Sequence, residues 1–315
     1  MSKIETWELN QRQGLPLELK EKLTERRIRE WYNHWSGDVY VSFSGGKDST
    51  VLLHQVRKIY PDVPAVFVDT GLEYPEIRAF VKTIDNVIWL KPKMPFNKVI
   101  ETYGYPIIAK DVARYIRDLQ RDTNNAATKH LRLTGIKRDG TISKCGKLPT
   151  KWLYLKNAPF KISEQCCDVM KKEPIKKYEK EAKRKGIVGM MASESKMRIG
   201  WYLKYGCNAF DKKQPQSSPI MFWLEKDIWE YLKKYDVPYC NIYDTGISRT
   251  GCMWCMFGVH LEKGENRFQK MEKTHPKQHD YCINKLGCGK VLDYIGVRYS
   301  NTHQPFEDLS LFQEM

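Results

Sequence analysis

Two groups of residues in this chain have types and spacings that can do chemistry. The first is Ser44-Gly45-Gly46-Lys47-Asp48-Ser49, set between an apolar β-rich run at 39–43 and a helical pattern from about Asp48 to Tyr60. Two glycines let the main chain bend close to a ligand. The following helix start offers unpaired N–H groups and partial positive charge, so the turn can cradle phosphate oxygens. Ser44 and Ser49 add hydroxyls, Lys47 a charge, and Asp48 a carboxylate suited to Mg²⁺ or to fixing the loop. The motif is neither G-x-x-x-x-G-K-[ST] nor G-x-G-x-x-G. A Gly-Gly turn capping a helix is the bland alternative.

The second group is cysteine. Cys166 and Cys167 are adjacent, and Cys252-Met253-Trp254-Cys255 is a C-x-x-C pair. Together they supply four thiolates, the ligand count of a [4Fe–4S] cluster and equally of structural zinc. His275, His279, Cys282 and Cys288 have spacings that zinc could use, but Pro276 disturbs the helix that would align them, so packing roles are expected. Cys288 stands between Lys285 and Lys290, which would lower a thiol pKa. Cys145, Cys207 and Cys240 have no partner by spacing and are read as structural, with Cys145 in its basic loop a candidate sulfur carrier.

The elements that must position these groups read as α/β. A helix is expected over 17–35, then strand 39–43, helix 48–60, strand 65–68, helix 74–84 and strand 86–90. Parallel strands joined by helical crossovers imply a helix-flanked parallel sheet. Further strands are expected at 187–192 and 220–223, with helices at 171–185 and 225–235. The division expected is an N-terminal helical segment, 1–36, a main domain, 37–260, with a basic insertion at about 110–156, and a Cys/His-containing helical extension, 261–315. With 53 Lys and Arg against 38 Asp and Glu, the net charge is +15. That favours an anionic partner, nucleic acid or nucleotide, without specifying chemistry. No apolar run approaches the roughly 20 residues that span a bilayer, and the first residues carry neither leader nor transit pattern. A cytoplasmic location is expected, with clustered cysteines serving metal, Fe–S or redox roles there.

The loop after its strand resembles the pyrophosphate loop of the adenine-nucleotide α-hydrolase-like enzymes. Asp69-Thr70-Gly71 with Glu73, Pro75 and Glu76 resembles the segment after strand two in the phosphoadenylyl-sulfate (PAPS) reductase and sulfate adenylyltransferase branch. Cys166-Cys167 through Lys171 and Pro174, with C-x-x-C 84 residues after Cys167, resembles the [4Fe–4S]-holding pattern of adenylyl-sulfate (APS) reductases. Ala192-Ser193-Glu194-Ser195 with Arg198 resembles the family's substrate segment. The resemblance spans about 39–258 and leaves 110–156 largely unmatched. It implies nucleotide binding by Ser44, Gly45, Gly46, Lys47, Asp48, Ser49, Asp69, Thr70, Gly71, Glu194 and Arg198, catalysis by Lys47, Asp48 and Cys288, and cluster ligation by Cys166, Cys167, Cys252 and Cys255.

Two departures bear on activity. The Lys-Asp-Ser half of the loop is intact, as in ATP pyrophosphatases, and Gly287-Cys288-Gly289-Lys290 replaces the reductases' Glu-Cys-Gly-(Leu/Ile)-His. The favoured expectation is reduction of APS or PAPS to sulfite with a thioredoxin-like reductant. The alternative is ATP-dependent thiolation of tRNA or DNA with pyrophosphate release. A third is a non-enzymatic nucleotide- or DNA-binding protein with a structural cluster.

Overall fold

The computed structural model describes residues 4–123 and 125–302. Among them run strands β1 (Val39–Ser42), β2 (Ala65–Val68), β3 (Val87–Leu90), β4 (Ile107–Ile108), β5 (Lys185–Val188), β6 (Asn208–Ala209), β7 (Gln216–Ser217) and β8 (Met256–Phe257). Contacts divide the chain into two interleaved units. Unit 1 comprises Met1–Asp69, Glu73–Lys91 and Glu173–Thr250, and unit 2 comprises Thr70–Leu72, Pro92–Lys172 and Gly251–Met315. The stretch 37–260 therefore contributes to both.

Unit 1 is built on a six-stranded sheet in the order β3-β2-β1-β5-β7-β6. All neighbours are parallel except β6, which runs antiparallel to β7 at the edge. The helix-flanked parallel sheet expected from the sequence is present. β1 and β2 read as apolar runs because they are buried. The helix Lys47–Ile59 buries Val51, Leu52 and Val56 completely. The helix Leu17–His34 seals Ile28 and Trp31 inside and drives Lys20 into the interior, where its ammonium meets Asp227 Oδ2 at 2.6 Å. Strands leave β1 in both directions, toward β2 and toward β5. That reversal is the crevice where open α/β sheets take ligands, outside the carboxyl ends of their strands.

Two expectations change here, the first at 187–192, where β5 ends at Val188 and Ala192 opens a helical turn. Residues 220–223 are not a strand: Trp223 N–H bonds Ile220 O at 3.0 Å, closing a buried turn, and the Trp223 indole donates to Thr24 Oγ1. A buried apolar run has no periodicity to tell turn from strand. The sheet is extended instead by β6 and β7, two residues each, too short to leave a pattern.

Unit 2 contains the parallel pair β4 and β8, helices Lys110–Gln120 and Ala126–Thr134, and helical turns near both cysteine pairs. Described residues of the basic segment 110–156 make specific contacts: Arg117 pairs with Glu164 at 2.6 Å, and the Arg132 guanidinium lies 4.2 Å from the Tyr115 ring centroid. Among the described residues no helix is long and apolar enough to cross a membrane.

Candidate nucleotide site and cysteine cluster

The loop after β1 is shaped by its glycines. Gly45 has φ +72°, and a Cβ there would stand 2.8 Å from Val81 Cγ2 and 2.9 Å from Ile77 Cγ2, so only glycine fits without movement. Gly46 caps the helix that opens at Lys47. Ser49 ties the loop down, donating to Gly46 O at 2.8 Å and accepting from Ser44 N–H at 3.2 Å. Ser44 Oγ in turn accepts from Gly46 N–H at 3.3 Å.

This loop opens into a cavity of about 530 Å³ at the β1–β5 reversal. The expected residues Ser44, Gly46, Lys47, Asp48, Ser49, Glu194 and Arg198 line it. Gly45 lies behind, against the helix Pro75–Lys82. Asp69 is 8% exposed and paired with Arg78 at 2.8 Å, and it is not among the lining residues. Thr70 and Gly71 belong to unit 2, where Thr70 Oγ1 accepts from Leu72 N–H. Sequence reasoning missed Gly189, Glu225, Arg249 and Thr250 in the lining. Gly189 follows β5, and a Cβ on it would crowd Asp48 O at 3.1 Å, so its signal was a lone glycine after a strand. Arg249 had no local signal.

The cavity mixes charges. Lys47 Nζ is nearly buried and contacts Ser248 O at 3.1 Å and Glu225 Oε1 at 3.2 Å. Burial raises the Asp48 carboxyl above its ordinary pKa, against the pull of Lys47, and Glu225 adds to the rise. Asp48 Oδ1 is buried without a hydrogen-bond partner. Glu194 holds both Arg198 and Arg249, the latter at 2.8 Å. Burial, then the charge of Arg249, lowers the Arg198 pKa, so this guanidinium gains from an incoming anion. Two arginines, a lysine and helix N–H groups are chemistry that can receive an anion such as a polyphosphate. A buried carboxylate oxygen with no hydrogen bond and only the Lys47 ammonium at 4.0 Å, with Glu225 near, is donor chemistry that fits Mg²⁺.

In unit 2, Cys166 and Cys167 sit on a helical turn running into Asp168–Lys172. The C-x-x-C closes with Cys255 N–H on Cys252 O at 3.1 Å, just before β8. The four thiols feel one another: burial pushes Cys166 up, and Cys252, Cys167 and Cys255 push the same way. Burial also raises Cys255, while a main-chain hydrogen bond from Phe257 and the nearby Arg267 and Lys110 draw it down. Among the described residues, no group of three or more His, Cys, Asp or Glu is placed to hold a metal ion. The donor set of four mutually coupled sulfurs, with N–H and cationic groups beside Cys255, fits an iron–sulfur cluster chemically.

Cys288, the expected nucleophile, is a fully buried free thiol hydrogen-bonded to the equally buried thiol of Cys282. An enclosed thiol cannot reach a substrate, so this placement runs against the expected catalytic role. His279 Nε2 bonds Tyr299 O at 2.7 Å and His275 Nδ1 bonds Thr274 Oγ1 at 2.8 Å, which are packing roles.

The phosphoadenosine phosphosulfate reductase domain profile matches residues 38–106 and 110–257, so the segment read as an insertion lies inside the match. An uncharacterized protein of Methanocaldococcus jannaschii is 27% identical over 276 residues, 86% of this chain, which spans only 53% of that relative's length. An adenosine 5′-phosphosulfate reductase of Anoxybacillus flavithermus is 21% identical over 284 residues, 89% of this chain and 100% of its own. A solved phosphoadenylyl-sulfate reductase from Candida auris superposes with a TM-score of 0.43 at 14% identity, over 76% of this chain and 96% of its own. With two thirds of its residues inside the domain match, the chain belongs to the phosphoadenosine phosphosulfate reductase family, within the pyrophosphate-loop superfamily of adenine-nucleotide α-hydrolase-like proteins.

Proposed function

We propose that this chain is an ATP-using enzyme whose loop 44–49 grips the phosphoryl chain while an acceptor atom attacks the α-phosphorus. One P–O bond forms to the acceptor, and the bond to pyrophosphate breaks. The observation that carries this reading is the intact Lys47-Asp48-Ser49 helix start lining a cavity that also holds Arg198, Arg249 and Glu225. Lys47 and the helix N–H groups bind the leaving pyrophosphate, and the two arginines neutralise it. Asp48 and Glu225 would hold Mg²⁺, which supplies charge neutralisation at the phosphates. Cys166, Cys167, Cys252 and Cys255 would hold the [4Fe–4S] cluster, which supplies sulfur or redox chemistry. Exposed Lys137, Arg138, Lys144, Lys147 and Lys151 in unit 2 support an anionic acceptor such as nucleic acid.

The second reading, reductive cleavage of an adenylylated sulfate by a thiol with a thioredoxin-like reductant, is supported by curated relatives that carry the name adenosine 5′-phosphosulfate reductase. The enclosure of Cys288 weighs against it.

Anaerobic protein incubated separately with ATP, APS and PAPS tests the choice. Pyrophosphate release from ATP in the presence of tRNA or DNA, lost in Lys47→Ala, is the expected result. Sulfite release from APS or PAPS with no ATP turnover would overturn it in favour of the reductase.

A further inference from the structure

Residues 243–250 occupy the loop groups that an incoming phosphate would use. The Tyr243 hydroxyl accepts from the Lys47 main-chain N–H at 2.9 Å, at the first position of the helix Lys47–Ile59, and bonds Thr250 Oγ1 at 2.9 Å. The Ser248 carbonyl accepts from Lys47 Nζ at 3.1 Å. Arg249 is held on Glu194, the carboxylate that also holds Arg198. A Cβ on Gly46 would lie 2.8 Å from Thr250 Oγ1 and 3.1 Å from Tyr243 Oη, so these hydroxyls stand in the space the glycine leaves for a close-approaching ligand. The Tyr243 ring is seated edge-on against Trp229 with centroids 5.6 Å apart.

We propose that residues 243–250 form a strap that plugs the phosphate loop, with the Tyr243 hydroxyl and the Ser248 carbonyl standing where phosphate oxygens bind. The physical logic is substitution. A helix start and a buried ammonium are costly to leave unpaired, and the strap's neutral oxygens, with Glu225 also on the ammonium, satisfy them until a phosphate displaces the strap. Displacing the strap also frees Arg249 from Glu194 to follow the anion. The ligand class is a phosphoanhydride, for which inorganic pyrophosphate is the minimal probe. The inference rests on the reading of the loop as a phosphate site.

Calorimetric titration of the full chain with pyrophosphate and with ATP, each with Mg²⁺, tests it. Tyr243→Phe keeps the ring and deletes the competing hydroxyl, so binding should tighten about three- to tenfold. Thr250→Val, which strips the hydroxyl of its second partner, should tighten binding by less. Trypsin cleavage after Arg249 in the wild-type protein should speed up when pyrophosphate is added. Equal or weaker binding by Tyr243→Phe, or slower cleavage with ligand, overturns the plug. Lys47→Ala separates the two failures. If it weakens binding while Tyr243→Phe does not tighten it, only the plug falls. If Lys47→Ala binds as well as wild type, or if nothing binds, the loop reading falls and the plug with it.

Discussion

Replacing Gly45 by alanine puts the loop's geometry to a quantitative test. The residue has φ +72°, and an added Cβ would lie 2.8 Å from Val81 Cγ2 and 2.9 Å from Ile77 Cγ2, on the buried face of a packed helix. The left-handed conformation costs a non-glycine residue about 1–2 kcal/mol, and forcing a methyl into filled space costs about 1–3 more. Stiffening the unfolded chain returns about 0.4–1 kcal/mol, leaving a net loss near 3. Gly140→Ala is the control, because Gly140 has φ +78° but nothing within 4 Å of its Cβ position, so it should lose only about 1 kcal/mol. The difference of about 2 kcal/mol, roughly thirtyfold in folding equilibrium, is readable by urea denaturation with the slope unchanged. Gly45→Ala should also weaken pyrophosphate binding, which Gly140→Ala should leave alone. If the two variants unfold at the same urea concentration, the close approach of the loop to Ile77 and Val81 is wrong, and with it the account of why the bend is glycine.

Other consequences are open to measurement. Lys20 and Asp227 form an ion pair with side chains 0% and 4% exposed, so Lys20→Met should cost about 3–5 kcal/mol by stranding a carboxylate, and adding Asp227→Leu should recover part of it in a double-mutant cycle. Because burial raises the Asp48 pKa, the folded state holds that proton more tightly than the unfolded chain. Asp48 therefore adds stability below the ordinary carboxylate range and loses it as pH rises through the raised value. Asp48→Asn should accordingly raise the melting temperature at about pH 7, change it little at about pH 3, and abolish ATP turnover. Anaerobic protein should be brown with broad absorbance near ~400 nm and about four irons, and Cys255→Ser should lose that colour and iron while still binding pyrophosphate. Colourless protein carrying zinc would refute the cluster.

What the chain spells out locally was legible. A strand, two glycines, a lysine and a helix start are contiguous, and their chemistry follows from adjacent residues, so loop 44–49 and its helix could be read directly. Helices 17–34 and 225–234 showed their amphipathic period for the same reason. Whatever depends on distant segments meeting could not be read. Gly189, Glu225, Arg249 and Thr250 reach the loop because β5 pairs with β1 and the segment after 240 returns to it. Nothing within a few residues of Arg249 announces that it will share Glu194 with Arg198. Burial was equally hidden. Flanking lysines suggested an activated Cys288, yet a thiol's reactivity is set by the dielectric and partners around it, and packing against Cys282 encloses it. Local pattern determined the chemistry of the loop, and tertiary packing decided which other side chains share its cavity and which are shut away, since charge and reactivity depend on neighbours in space and not in sequence.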